Sequence, residues 1–118
     1  MIQERYVSFE VAKLLKEKGL TFTNVVIYSM YDVDGNIHWG IYDKSWFPRV
    51  TNQTAMEWLR EKYHIHIIIE PVSGKGYNGI MCDVGDFDDF NYISETDFFL
   101  HPEEAVEAAL KYVLENLI

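Results

Sequence analysis

Apolar residues recur at helical spacing in three parts of the chain, the first of them near the amino terminus. Val11, Leu14 and Leu15 follow the i, i+3, i+4 spacing of one helix face, which predicts a helix over Phe9–Lys18. Ser8 precedes this helix and is a typical N-cap, because its hydroxyl accepts a hydrogen bond from an unpaired amide of the first turn.

Two further helices are predicted in the middle and at the end of the chain. The middle helix begins at Thr51 or at Thr54. Thr54 and Glu57 form a capping box, whereas a start at Thr51 adds one turn, and the sequence leaves both open. The last helix begins at Pro102, where the missing amide proton of proline costs no hydrogen bond. Its apolar stripe runs to the carboxyl terminus through Val106, Ala109, Leu110, Val113 and Leu117.

Alternating and continuous apolar runs predict five strands. The first, Thr23–Tyr31, is apolar on both faces, which is typical of a strand in the interior of a sheet. In the second, Ile37–Tyr42, the alternation predicts that Ile37, Trp39 and Ile41 point inward. The other three are His64–Val72, Gly79–Val84 and Phe90–Thr96.

The predicted order of elements is α-β-β-α-β-β-β-α, which is an α+β fold. Asp32–Asn36 and Ser73–Asn78 are turns of hairpin length, so we expect a mainly antiparallel sheet with the helices packed on one face. Pro48 keeps the connection before the middle helix extended. No linker rich in Pro, Gly or Ser divides the chain, which predicts a single α+β domain over residues 1–118. The order of the strands stays open.

The composition is that of a folded protein, since 48% of the 118 residues are apolar and 15% are aromatic. Cys82 is the only cysteine, which excludes a disulfide within the chain and fits a reducing cytoplasm. The charged first residues do not resemble a secretory signal, and no apolar run approaches the about 20 residues of a membrane helix. We therefore expect a soluble cytoplasmic protein that does not contact membranes.

The net charge of −9 comes from one segment. Asp83–Glu107 contains nine acidic residues and no Lys or Arg, whereas the remaining ten acids and ten bases cancel. Binding to DNA or RNA phosphates requires Lys and Arg, so this distribution argues against direct nucleic-acid binding. It leaves open the opposite role, in which the acidic segment mimics nucleic acid and inhibits a host factor.

Two glycine-containing motifs are interpreted as turns. Gly74, Gly76 and Gly79 match GxGxxG, but the residues that follow predict a strand, whereas a dinucleotide site requires a helix there. Asp32 and Asp34 precede a glycine, as in a calcium loop, but the other oxygen ligands of that pattern are missing. An Asp-Gly hairpin turn explains the same residues. Neither motif predicts a cofactor.

His64 and His66 are the candidate metal ligands. On a strand, residues i and i+2 share a face, so this spacing can present two imidazoles to one ion. Zinc needs further ligands; His38, Glu70 and Cys82 are the candidates, and no pattern brings them together. The alternative interpretation is that the isoleucines alternating with these histidines face the core, while the histidines face solvent or a neighbouring element.

No pattern in the chain predicts catalysis. A G-x-S-x-G nucleophile motif is absent, and Cys82 in Ile-Met-Cys-Asp is typical of a small buried residue. The acidic pairs Asp88/Asp89 and Glu103/Glu104 are adjacent in sequence, unlike the separated carboxylates of a glycosidase. We therefore expect a protein that is not an enzyme and has no cofactor.

A segment in which aromatic residues alternate with aspartate is the candidate binding surface. Exposed rings in an acidic setting are typical of a protein-binding patch. We therefore predict a small protein-interaction module whose partner is another protein or a second copy of the chain, in a homodimer. The candidate binding residues are Asp86, Phe87, Asp88, Asp89 and Phe90.

Three stretches together resemble a family of short uncharacterised proteins found in gut Bacteroides-type bacteria and in their phages and mobile elements. They are YVSFEVAKLLKEKGL (Tyr6–Leu20), TNQTAMEWLREKYHIHI (Thr51–Ile67) and PEEAVEAALKYVLENLI (Pro102–Ile118). The resemblance implies an accessory role tied to mobile elements. It implies no activity, cofactor or catalytic residue.

Overall fold

The computed structural model describes residues 5–23, 25–85 and 89–118. The elements in these ranges are α1 (Phe9–Glu17), β1 (Ser29–Tyr31), β2 (Ile37–Trp39), β3 (Phe47–Arg49), α2 (Asn52–Tyr63), β4 (Ile65–Val72), β5 (Gly76–Val84), β6 (Phe90–Glu95) and α3 (Pro102–Tyr112), which continues as a π-helical segment over Val113–Leu117. The predicted α+β fold is confirmed. The predicted order is recovered, with one short strand added, β3, where the sequence predicted an extended connection around Pro48.

The strands form two antiparallel three-stranded sheets in the described ranges. The first has the order β2-β1-β3 and the second the order β4-β5-β6. The chain divides into two compact units, Met1–Ala55 and Met56–Ile118, and each contains one of the sheets. The expectation of one domain over residues 1–118 stays a prediction.

In the first unit, α1 packs against β3 through apolar and aromatic side chains. Its predicted N-cap is confirmed, because the Ser8 hydroxyl accepts a hydrogen bond from the amide of Val11 at 3.2 Å. The Phe9 ring lies 5.5 Å from the ring of Tyr31 and 5.5 Å from that of Phe47. These contacts join the helix to both β1 and β3.

The first two predicted strands are shorter and more exposed than the pattern indicates. β1 is central and fully buried, but Val26 and Tyr28, which were predicted to precede it in the same interior strand, are 69% and 73% exposed. The prediction that Ile37, Trp39 and Ile41 point inward is wrong, because all three are exposed. β2 is a three-residue edge strand, so its apolar alternation marks a surface rather than a core face.

In the second unit, α3 lies directly over the second sheet. A Cβ atom on Gly79 of β5 would lie only 2.9 Å from the Cβ of Ala109 and 3.2 Å from the carbonyl oxygen of Ala105. Ile65 and Ile67 of β4 are buried at 6% exposure each, as predicted for a core face. The absence of a side chain at Gly79 therefore sets the distance between helix and sheet.

The ends of α2 are defined by two polar residues. The helix begins at Asn52, directly after Thr51, so Thr51 and not Thr54 precedes its first turn. The Thr51 hydroxyl accepts a hydrogen bond from the amide of Thr54 at 3.1 Å. At the other end, the amide of His64 donates to the carbonyl of Arg60 at 3.1 Å, and His64 adopts a left-handed φ of 58°. His64 therefore acts as a helix-terminating residue and lies before β4.

The glycine-rich turn joins β4 to β5 as a hairpin, as predicted. The amide of Lys75 donates to the carbonyl of Val72 at 3.0 Å, and Gly74 and Gly76 have left-handed φ values of 78° and 100°. The strand that follows begins at Gly76, three residues earlier than predicted, so Gly79 lies within β5.

Candidate functional site

β6 is an edge strand that carries exposed aromatic side chains. One side of it pairs with β5, which places Phe90 opposite Val84 and Tyr92 opposite Cys82. No other strand in the described ranges pairs with its second side. Phe90 is 47% exposed and Tyr92 64% exposed, so both the edge and the rings are accessible.

A β-bulge at Ile93 changes which β6 side chains share a face. The register with β5 shifts there, so that Tyr92 pairs with Cys82 and Glu95 pairs with Ile80. Cys82 and Ile80 are two residues apart and share one face of β5. Tyr92 and Glu95 therefore lie on the same face, although residues three apart in a regular strand point to opposite faces. We call Asp89, Phe90, Tyr92, Ile93 and Glu95 the β6 surface.

The β6 surface combines apolar rings with carboxylates. Asp89 and Glu95 are exposed, and the surrounding segment Asp83–Glu107 contains no Lys or Arg. A cation lies beside it on α2, where the guanidinium carbon of Arg60 is 5.8 Å from the Phe90 ring centre. The surface therefore carries carboxylates at Asp89 and Glu95 and has a basic group beside Phe90.

His66 supports the first ring of the β6 surface. Its imidazole lies 5.3 Å from the ring of Phe90, at an angle of 55°. Burial lowers the pKa of His66 below its usual value, and the charge of Arg60 lowers it further. Both effects favour the neutral imidazole where it contacts Phe90.

Three of the five predicted binding residues, Asp86, Phe87 and Asp88, lie outside the described residues. The other two, Asp89 and Phe90, are exposed and belong to the β6 surface. Tyr92 and Ile93 were not among the candidates. Their apolar character is visible in the sequence, but burial depends on whether another element covers the strand, and that is decided by tertiary packing.

The two candidate metal ligands do not occupy one strand. His64 precedes β4 in a left-handed conformation, whereas His66 lies within β4, so the shared-face argument does not apply to the pair. Cys82, one of the candidate further ligands, is paired directly opposite His66. Among the described residues, no group of three or more His, Cys, Asp or Glu side chains is placed to hold a metal ion. Metal binding stays a prediction, and a zinc titration followed by melting temperature tests it.

Asp32, the first residue of the calcium-like motif, closes a hairpin. One carboxylate oxygen accepts from the amides of Asp34 and Asn36 at 2.9 Å and 3.0 Å, and the other lies 2.8 Å from Nε2 of His38. These hydrogen bonds, that of His38 foremost, lower the pKa of Asp32 to about 2. The His38 ring also stacks on Trp46 at 4.4 Å. The Asp-Gly turn between β1 and β2 is thus confirmed as a hairpin.

Comparison of the chain with protein-family models, with curated proteins and with solved structures gives no match in any of the three. Within the described ranges, none of the helices has both the length and the apolar character needed to cross a membrane.

Proposed function

We propose that this protein is a non-catalytic protein-interaction module that binds its partner through the β6 surface. The observation that carries the proposal is an edge strand with exposed Phe90 and Tyr92 in a segment without Lys or Arg. Exposed apolar edges pair readily with another chain, and many proteins protect theirs with Lys or Pro. β6 contains neither residue. Burial of the single thiol, Cys82, fits action in the reducing cytoplasm.

Charge indicates the kind of partner. Cross-strand pairs of opposite charge stabilise a sheet by about 0.2–1 kcal/mol each, whereas like charges directly opposite destabilise it. A second copy of this chain brings its own acidic segment to the contact, with a net charge of −9 on each molecule. A partner strand that alternates basic and apolar residues places its apolar side chains on the face that Phe90 and Tyr92 share. Its basic side chains offset the negative charge of the acidic segment. We therefore propose that the partner adds a basic, apolar-alternating strand to the β6 edge.

A pair of designed peptides tests this proposal. Lys-Val-Lys-Val-Lys-Val is the probe, and Glu-Val-Glu-Val-Glu-Val is its charge-reversed control. We expect the lysine peptide to shift amide resonances of β6 in a titration followed by NMR, and to slow hydrogen exchange of the β6 amides that do not bond to β5. We expect the glutamate peptide to leave both unchanged.

Two variants locate the contact on the protein. Phe90→Ser combined with Tyr92→Ser removes the exposed rings of β6. We expect this double variant to weaken binding of the lysine peptide at least tenfold. Tyr28→Ser is the matched control, because Tyr28 is 73% exposed and lies in the first unit. Equal binding of the two peptides, or unchanged binding by the double variant, contradicts the proposal. Dimerisation through β6, measured by sedimentation, favours a second copy of the chain instead.

A further inference from the structure

Arg49 is held in place by aromatic rings in the first unit. Its guanidinium carbon lies 4.0 Å from the ring centre of Tyr6, 5.3 Å from that of Trp39 and 5.9 Å from that of Tyr31. The rings of Tyr6 and Trp39 also meet edge to face at 5.8 Å. Rings within about 6 Å of a guanidinium attract it through their electron-rich faces. The planar cation is therefore fixed before any ligand arrives.

This guanidinium has few acceptors for its five N–H groups. Nη1 donates to the Ser29 hydroxyl at 3.2 Å, whereas Nε is buried and has no hydrogen-bond partner. No carboxylate in residues 5–23, 25–85 or 89–118 forms an ion pair with Arg49, although the chain has 19 acids and 10 Lys and Arg residues. A shielded cation without an anion is unfavourable, so Arg49 has an unused capacity to bind one.

A cavity of about 190 Å³ opens beside Arg49. Its wall contains apolar and aromatic side chains and two threonine hydroxyls. The Thr54 hydroxyl accepts from the Thr51 hydroxyl at 3.0 Å, which leaves the Thr54 proton for a further acceptor. The other lining residues are Tyr6, Val26, Tyr28 and Val50.

We propose that this cavity binds a small organic carboxylate with an apolar or aromatic body. The Nη groups of Arg49 and the Thr54 hydroxyl bind the carboxylate oxygens, and the tyrosine and valine side chains contact the body. A cavity of about 150 Å³ holds a benzene molecule, so the volume here suits a ligand with one ring. A carboxylate matches the single charge of Arg49, whereas a dianionic phosphate leaves an excess negative charge in a chain whose net charge is already −9.

Three small probes separate the parts of this proposal. Benzoate carries both the ring and the charge, benzamide carries the ring without the charge, and acetate carries the charge without the ring. Binding is followed by NMR through the indole resonance of Trp39 and the side-chain resonances of Arg49. Because hydrogen bonds to charged groups are roughly twice as strong as neutral ones, we expect benzoate to bind at least tenfold more tightly than benzamide. We also expect benzoate to bind more tightly than acetate.

Variants test whether Arg49 and Thr54 are the contacts. Arg49→Met keeps a long side chain against the rings but removes the charge, and we expect it to abolish the preference for benzoate over benzamide. Thr54→Val replaces the hydroxyl with a methyl group. We expect this variant to retain the fold and to bind benzoate at least threefold more weakly. Arg60→Met is the matched control, because Arg60 is an exposed arginine of the second unit. It is expected to leave benzoate binding unchanged.

The proposal is overturned if benzoate does not bind up to 0.1 M, or if benzamide binds equally well. It is also overturned if Arg49→Met retains the full preference for benzoate. If Arg49→Met does not fold, Thr54→Val serves as the test of the site. Unchanged benzoate affinity in that folded variant contradicts the assigned site. These outcomes do not depend on peptide binding at β6, so this proposal and the proposed function are tested separately.

Discussion

Replacement of Gly79 by alanine tests the close packing of α3 on β5. The new Cβ would lie 2.9 Å from the Cβ of Ala109, whereas carbon atoms in contact prefer about 3.5–4.0 Å. Helix and strand must therefore separate by several tenths of an ångström or more. Overpacking of this kind costs about 1–3 kcal/mol, and the lower entropy of the unfolded alanine chain offsets about 0.4–1 kcal/mol. We expect Gly79→Ala to reduce the free energy of unfolding by about 1–2 kcal/mol.

Urea unfolding followed by circular dichroism measures this change, and the melting temperature should fall by roughly 4–8 °C for a chain of this size. Gly85→Ala is the matched control. The nearest atoms to a Cβ there lie 3.7 Å away, so its effect should stay within about 0.5 kcal/mol. Adding Ala109→Gly removes the closest contact, and a double-mutant cycle should show about 1 kcal/mol of coupling. Full stability of Gly79→Ala, or no coupling to Ala109, refutes the reasoning.

Three further predictions concern single polar residues. Ser8→Ala removes the N-cap of α1 and should cost about 1 kcal/mol in urea unfolding, while Ser8→Thr should retain most of that stability; an unaffected Ser8→Ala contradicts the capping role. His64→Gly should raise the free energy of unfolding by about 1 kcal/mol, because glycine adopts the left-handed φ of 58° without steric cost; a loss of stability shows that the imidazole makes a needed contact. Asp32 should titrate near pH 2 by NMR, and His38→Ala should move its pKa up toward 3.8. Because the pKa of Asp32 is lowered in the folded state, the stabilisation by Asp32 is complete above pH 3.8 and is lost as the pH falls through about 2. A titration midpoint of Asp32 near pH 3.8 in the wild-type protein excludes the Asp32–His38 hydrogen bond in solution.

Local signals in the sequence predicted the local structure well. The N-cap at Ser8 and the hairpin at Asp32 depend on neighbours within a few residues, and both are confirmed. Alternation in β4 also placed Ile65 and Ile67 on one face, and both are buried. The choice between Thr51 and Thr54 depended on which of the two hydroxyls caps the first turn of the helix. In the structure the Thr51 hydroxyl does so, because it accepts from the amide of Thr54.

The candidate surfaces show where pattern alone is insufficient. Ile37 and Trp39 alternate as residues of a buried strand do, yet they are 48% and 58% exposed, because β2 is a short edge strand. The same alternation in β4 is buried under α3. Alternation reports which residues share a face, but it does not report whether another element covers that face.

The sequence by itself determined the α+β class, the types of all elements except β3, and the concentration of negative charge in Asp83–Glu107, because these depend on composition and on spacing along the chain. Only the tertiary structure decided that the strands form two sheets, that a bulge places Tyr92 and Glu95 on one face, and that Arg49 lies beside a cavity and has no carboxylate partner among the described residues. These features join residues distant in the chain, and the order of strands and the approach of helices set them. Exposure of the β6 surface is likewise a property of the packed fold.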